Sequence, residues 1–175
     1  EINVADFDII YAGAQKNLGP AGSTLYIVKD SILGQSSIDI PTYLDLKTHQ
    51  SKGSMFNTPP VFPIYTAMLN LRHLMKNGGV SAIADKNEAK AKLLYNEIDS
   101  NPLFSGTTAI EDRSNMNVTF VLTVDSKQEE FDKLWNEAGI IGLKGHRSVG
   151  GYRASMYNAL DTDSVQVLVD VMKSL

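Results

Sequence analysis

The run Asp8-Ile9-Ile10-Tyr11-Ala12-Gly13-Ala14-Gln15-Lys16-Asn17-Leu18-Gly19-Pro20-Ala21-Gly22, continued by the apolar residues from Ser23 to Val28, constrains this chain more than any other stretch. A short β-forming run, Phe7 to Tyr11, gives way to residues with almost no side chain, presents a single lysine, and turns through Gly19-Pro20 into a second β-forming run. The pattern predicts two strands around a lysine loop, with enough Ile, Tyr and Val for a buried sheet. Small neighbours let another molecule come close to the backbone, and a flexible ammonium held there is suited to bonding a carbonyl carbon. A solvated lysine at a turn is the simpler alternative.

Composition narrows the partners. The formal net charge is -4, and no cluster of Lys and Arg offsets that acidity, which argues against nucleic acid and for small molecules or protein. Without cysteine there is neither a disulfide framework nor a thiolate zinc site, a composition compatible with a reducing cytoplasm. No run reaches the apolar length of a membrane span. The three histidines, His49, His73 and His146, lie at no ligand spacing, so no metal site is expected.

Past the lysine hairpin, Lys29 to Leu33 suggests one helical turn closed by Gly34, and Gln35 to Lys52 reads as an irregular surface loop. Pro59-Pro60 sets an extended bend and opens a helix to Lys76, with Val61, Ile64, Tyr65, Met68, Leu71 and Met75 at helical spacing. His73 within it is expected to be a partly buried packing residue. A second helix follows from Val80 to Ser100, with Ile83, Leu93, Leu94 and Ile98 inward and Asp85, Lys86, Glu88, Lys90 and Lys92 toward water. Asn117 to Val124 alternates as a strand, Lys127 to Ala138 is an amphipathic helix with Trp135 in the core, Ile140 to Leu143 and Tyr152 to Met156 are short strands, and Ser164 to Leu175 closes as a helix. The boundary falls near Pro60, giving residues 1–60 and a small α/β domain over 61–175.

Two further stretches carry candidate chemistry. KGHRSVGGYRAS, residues 144–155, sets Lys144, His146, Arg147 and Arg153 among three glycines, a donor-rich loop suited to a phosphate or carboxylate, or simply a solvated charged loop. GSMFNTPP, residues 53–60, offers Asn57 and Thr58 before the double proline, where such residues commonly satisfy orphan N–H groups at a helix start.

The segment YAGAQKNLGPAGSTLYIV closely resembles the cofactor-lysine region of the phosphoserine aminotransferases, pyridoxal-phosphate enzymes of the aspartate-aminotransferase fold type. The 144–155 loop followed by Tyr157-Asn158-Ala159, and the block 53–60, resemble the same family, so the likeness runs over essentially the whole chain. It implies an α/β fold: the C-terminal end of the large-domain sheet over 1–60 and a small α/β domain over 61–175.

It also implies roles. Lys16 would bond pyridoxal 5'-phosphate and then move a proton, Gln15 beside it would hydrogen-bond the cofactor, and Asn57 and Thr58 would reach the cofactor phosphate of a neighbouring subunit in a cytoplasmic homodimer. His146 and Arg147 would hold the substrate phosphate and Arg153 its α-carboxylate, in an exchange of phosphoserine and 2-oxoglutarate for 3-phosphohydroxypyruvate and glutamate. In relatives, the aspartate at the pyridinium nitrogen, the stacking aromatic and the glycine-rich phosphate cradle precede the lysine, where this chain has only fifteen residues. The chain therefore reads as the C-terminal half of such an enzyme, inactive by itself. A noncatalytic module holding a phosphorylated metabolite on the 146–153 loop is the alternative.

Overall fold

A computed structural model describes residues 2–175 as two compact units, one ending at Asn77 and the other spanning Gly78–Leu175. In the first, strands β1 (Ile9–Gly13) and β2 (Thr24–Val28) pair antiparallel, with Tyr11 opposite Tyr26 and Gly13 opposite Thr24. A 3-10 turn, Asp30–Ile32, ends at Gly34, whose φ of 74° needs a residue without a Cβ. The loop expected over 35–52 contains a short helix, α1 (Leu46–Ser51), started by the Asp45 carboxylate accepting from the Lys47 amide. Asp45 is the signal that the irregular reading overlooked.

Helix α2 (Val61–Lys76) begins at Pro60 as expected, but it lies in the first unit. The boundary between units is at Asn77 and Gly78 rather than near Pro60. The reason is packing: Asn70 donates to the carbonyls of Asn17 and Leu18, and a Cβ on Gly19 would lie 3.4 Å from the Ala67 backbone. The residues turned to the lysine loop are Pro63, Ala67 and Asn70, whereas Val61, Ile64, Tyr65, Leu71 and Met75 are exposed. His73 is exposed too, beside the Asn77 amide, and is not a packing residue. Among the described residues of this unit, Ala14 alone is buried. The expected buried sheet is thus exposed on both faces, with Tyr11 at 74%.

The second unit holds the core. An antiparallel sheet in the order β3 (Phe104–Gly106), β4 (Asn117–Leu122) and β5 (Tyr152–Ser155) packs against α3 (Gly79–Ser100), α4 (Gln128–Glu137) and α5 (Thr162–Ser174). Phe104, Phe120, Phe131 and Tyr152 meet ring to ring at 5.0–6.5 Å, and Leu94, Ile98, Val118, Trp135, Leu168 and Met172 complete the apolar interior. Residues 140–143 form no strand. Leu143 is buried, and its carbonyl accepts from the Arg153 amide. Lys90, expected in water, has no exposed surface: its ammonium donates to the carbonyls of Met156, Tyr157 and Leu160 at 2.9–3.1 Å. Three carbonyl acceptors replace the water that a buried ammonium would otherwise lose. Among the described residues no helix is long and apolar enough to cross a membrane, and no three His, Asp or Glu side chains gather at metal-binding distance.

Candidate functional site: a lysine loop and a cationic loop

The tip of the β1–β2 hairpin is a closed ring of backbone. Ala14 receives the amides of Lys16 at 2.7 Å and Gly19 at 2.8 Å on one carbonyl, and its own N–H reaches the Ser23 carbonyl at 3.0 Å. Those three bonds, and full burial of the Ala14 methyl, fix the backbone that presents Lys16. The Asn70 amide completes the ring from α2, at 2.6 Å to the Asn17 carbonyl and 3.0 Å to that of Leu18. Lys16 and Gln15 are both exposed at this tip, with Gly13 adding no side chain beside them. A primary amine on a rigid backbone, with Ala12, Gly13 and Ala14 leading into the turn, fits a carbonyl-bearing cofactor.

Asn57 and Thr58 are exposed ahead of α2. The simple reading, that they cap the helix, does not hold: α2 starts without a side-chain cap, and the Asn57 amide donates to the Thr58 carbonyl at 3.2 Å. The Thr58 hydroxyl and the Asn57 carbonyl oxygen are thus not spent on the first turn of the helix.

The second unit carries the cationic loop. Its neck is a β-bridge between Lys144 and Tyr152, reinforced by the Gly145 amide to the Gly151 carbonyl at 2.8 Å and the Arg153 amide to the Leu143 carbonyl at 2.7 Å. Beyond the neck, the His146 carbonyl accepts from Val149 and Gly150, and the His146 ring pairs with the Ser148 hydroxyl at 2.7 Å. Close approach at the neck excludes side chains: a Cβ on Gly145 would overlap the Gly150 carbonyl, and one on Gly151 would sit 2.8 Å from the Phe120 carbonyl.

Alternation in β5 buries Tyr152 and Ala154 and turns Arg153 and Ser155 outward, with Arg153 opposite Thr119. His146, Arg147 and Arg153 are all exposed, and among the described residues neither arginine has a carboxylate partner. Exposed guanidinium groups of this kind are chemically suited to an anion. Lys144, counted with them from its spacing, is differently engaged: its ammonium lies 3.0 Å from Asp132 on α4.

Asp132 itself had no sequence signal. Its Oδ1 accepts from Trp135 Nε1 and from the Tyr152 hydroxyl, each at 3.0 Å, while Oδ2 takes Lys144. Burial alone would raise this carboxyl, but the Lys144, Trp135 and Tyr152 donors outweigh it and hold it below the ordinary carboxylate range. Burial and the same carboxylate push the Tyr152 phenol upward. Asn70 was missed as well, although a lone amide among apolar helix residues, in register with Pro63 and Ala67, is a signal that could have found it.

Residues 1–168 match the sequence profile of the class-V aminotransferases. The chain belongs to that family. Class-V aminotransferases use pyridoxal phosphate, and the chemistry of the exposed Lys16 amine on its fixed backbone suits that group. This class-V chain is 62% identical, over 99% of its length, to the phosphoserine aminotransferase of Flavobacterium psychrophilum, of which it covers 49%. Its fold superimposes on a phosphoserine aminotransferase from Bacillus circulans with a TM-score of 0.93 at 40% identity, covering 99% of this chain and 48% of that one. A pyridoxal-phosphate-bound phosphoserine aminotransferase from Trichomonas vaginalis gives a TM-score of 0.89 at 34% identity, over 98% of this chain and 49% of that one. The chain thus spans about half the length of the relatives it matches, and the mixed α/β architecture is that of their fold.

Proposed function

We propose that this chain supplies the reactive lysine and the substrate-anion residues of a pyridoxal-phosphate-dependent phosphoserine aminotransferase. The reaction exchanges phosphoserine and 2-oxoglutarate for 3-phosphohydroxypyruvate and glutamate. The observation that carries the reading is the lysine loop: a primary amine on a backbone ring closed by the Ala14 carbonyl and the Asn70 amide. When bound, the cofactor supplies an electron sink for the substrate carbon.

The chain's own residues do the rest. The Lys16 amine holds the cofactor through its Nζ and afterwards carries the proton taken from the substrate carbon. Gln15 and the polar groups of Asn57 and Thr58 hydrogen-bond the cofactor, the last two across a homodimer in which active sites are shared. His146 and Arg147 receive the substrate phosphate. Arg153 takes the α-carboxylate as a bidentate pair, which fixes the plane of the carboxylate as no lysine could.

Half the length of the relatives is accounted for, so the remaining half must be supplied for turnover, and the reading places the assembled enzyme in the cytoplasm. The test is to combine the chain with that half and pyridoxal phosphate, then follow visible absorbance and glutamate formation from 2-oxoglutarate and phosphoserine. Wild type should show both and Lys16→Ala neither. Turnover in Lys16→Ala, or phosphoserine binding with no cofactor taken up, overturns the reading, and the latter result would mark a noncatalytic module.

A further inference from the structure

The cationic loop is rich in glycine, and a glycine-rich backbone loses the most entropy on being fixed. The bonds within its tip close the loop on itself, so what ties it to the rest of the fold lies at its ends. Both ends converge on one carboxylate: Lys144 at the start of the loop reaches Asp132 Oδ2 at 3.0 Å, and Tyr152 at its finish reaches Oδ1 at 3.0 Å. Asp132 is anchored in turn, since Trp135 donates to the same Oδ1 from the next turn of α4 and both Trp135 and Tyr152 are buried in the core. The backbone bonds of the neck join the two ends to each other, whereas Asp132 joins them to a helix.

We infer that Asp132 is a positioning residue, which clamps the two ends of the 144–152 loop to α4 and thereby sets His146 and Arg147 for the phosphate of the substrate. The inference rests on the proposed function. Asp132 touches no substrate atom itself; it acts through Lys144 and Tyr152. A clamp made entirely within the fold lowers the cost of ordering the loop that binding would otherwise carry.

Two variants of the assembled enzyme separate position from charge. Asp132→Asn keeps the amide oxygen for Trp135 and Tyr152 but removes the ion pair and one negative charge. Lys144→Met removes the same pair and one positive charge, at a side chain that is 64% exposed and tolerant of change. A purely electrostatic effect on a phosphorylated substrate would move its KM in opposite directions in the two variants. Loss of the clamp moves both the same way.

The expected result is a rise of about tenfold in KM for phosphoserine and in the inhibition constant of inorganic phosphate in both variants. The kcat and the visible spectrum of the bound cofactor should be unchanged, and Lys144→Arg, which can still reach Asp132, should restore the wild-type values. Opposite shifts in the two variants, no shift, a parallel fall in kcat, or a Lys144→Arg variant that behaves like Lys144→Met overturns the inference. His146→Ala and Arg147→Ala tell the two levels apart. If they also leave phosphoserine KM unchanged, the functional reading itself fails; if they raise it and Asp132→Asn does not, only the clamp fails.

Discussion

The Lys90 ammonium donates to the Tyr157 carbonyl at 2.9 Å, and with the bonds to Met156 and Leu160 it ties the middle of α3 to the turn that follows Arg153. Asn87, one turn earlier, adds a bond from its amide to the Asn158 side chain at 2.8 Å. The buried cation is thus a fastener for the C-terminal end of β5.

Replacing Lys90 by Met removes the three donors and leaves their carbonyl partners short of hydrogen bonds in the interior. Unfolding free energy should fall by about 2–4 kcal/mol. Denaturant titration followed by emission of Trp135, the only tryptophan of the chain and buried, measures it.

Asp132 makes stability depend on acid. Its carboxyl titrates lower in the folded chain than in the unfolded one, so its contribution is complete above the unfolded value of about 4 and disappears as pH falls through the lower, folded value. Thermal midpoints measured from pH 6 downward should drop less steeply below about pH 4 in Asp132→Asn than in wild type.

Asn70→Ala removes both side-chain bonds to the lysine loop while leaving the Ala14 ring in place. The loop should open more readily, at a cost of about 1–2 kcal/mol. Faster amide exchange at Gly19 and slower cofactor uptake by Lys16 in the assembled enzyme would register it.

Gly151 has a φ of 63°, and a Cβ there would press on the Phe120 carbonyl and the Val121 side chain at 2.8–2.9 Å. Gly151→Ala should therefore push the neck of the cationic loop away from β4. We expect phosphoserine KM to rise about tenfold with the core intact, as judged by an unchanged Trp135 emission maximum.

Arg153→Lys keeps the charge and loses the fork of donors that matches a carboxylate. KM for every amino-acid substrate, phosphorylated or not, should rise at least about tenfold, which steady-state kinetics would resolve from the phosphate-specific effect of the loop variants.

What the sequence made legible follows from range. The lysine hairpin, α2, α3, α4 and α5 announce themselves through local spacing and turn residues, and the short strand that carries Arg153 was legible within one residue of its end. What escaped it was set by residues far apart in the chain. Asp132 meets Lys144 and Tyr152 across the fold, Lys90 looks like any lysine on a wet helix face until the 156–160 carbonyls arrive, and β3 is too short to show a period. Periodicity also misplaced the inward stripe of α2, because small and polar residues, rather than large apolar ones, allow the close approach to the lysine loop that Asn70 and Ala67 make.

Among the described residues β1 and β2 pair only with each other, so each leaves one row of backbone groups open along its outer edge. A two-stranded ribbon is marginal in water, and an open edge invites another strand to zip onto it. Tethered by the Ala14 ring and by Asn70, the lysine tip is the pinned end of a ribbon whose margins stay open.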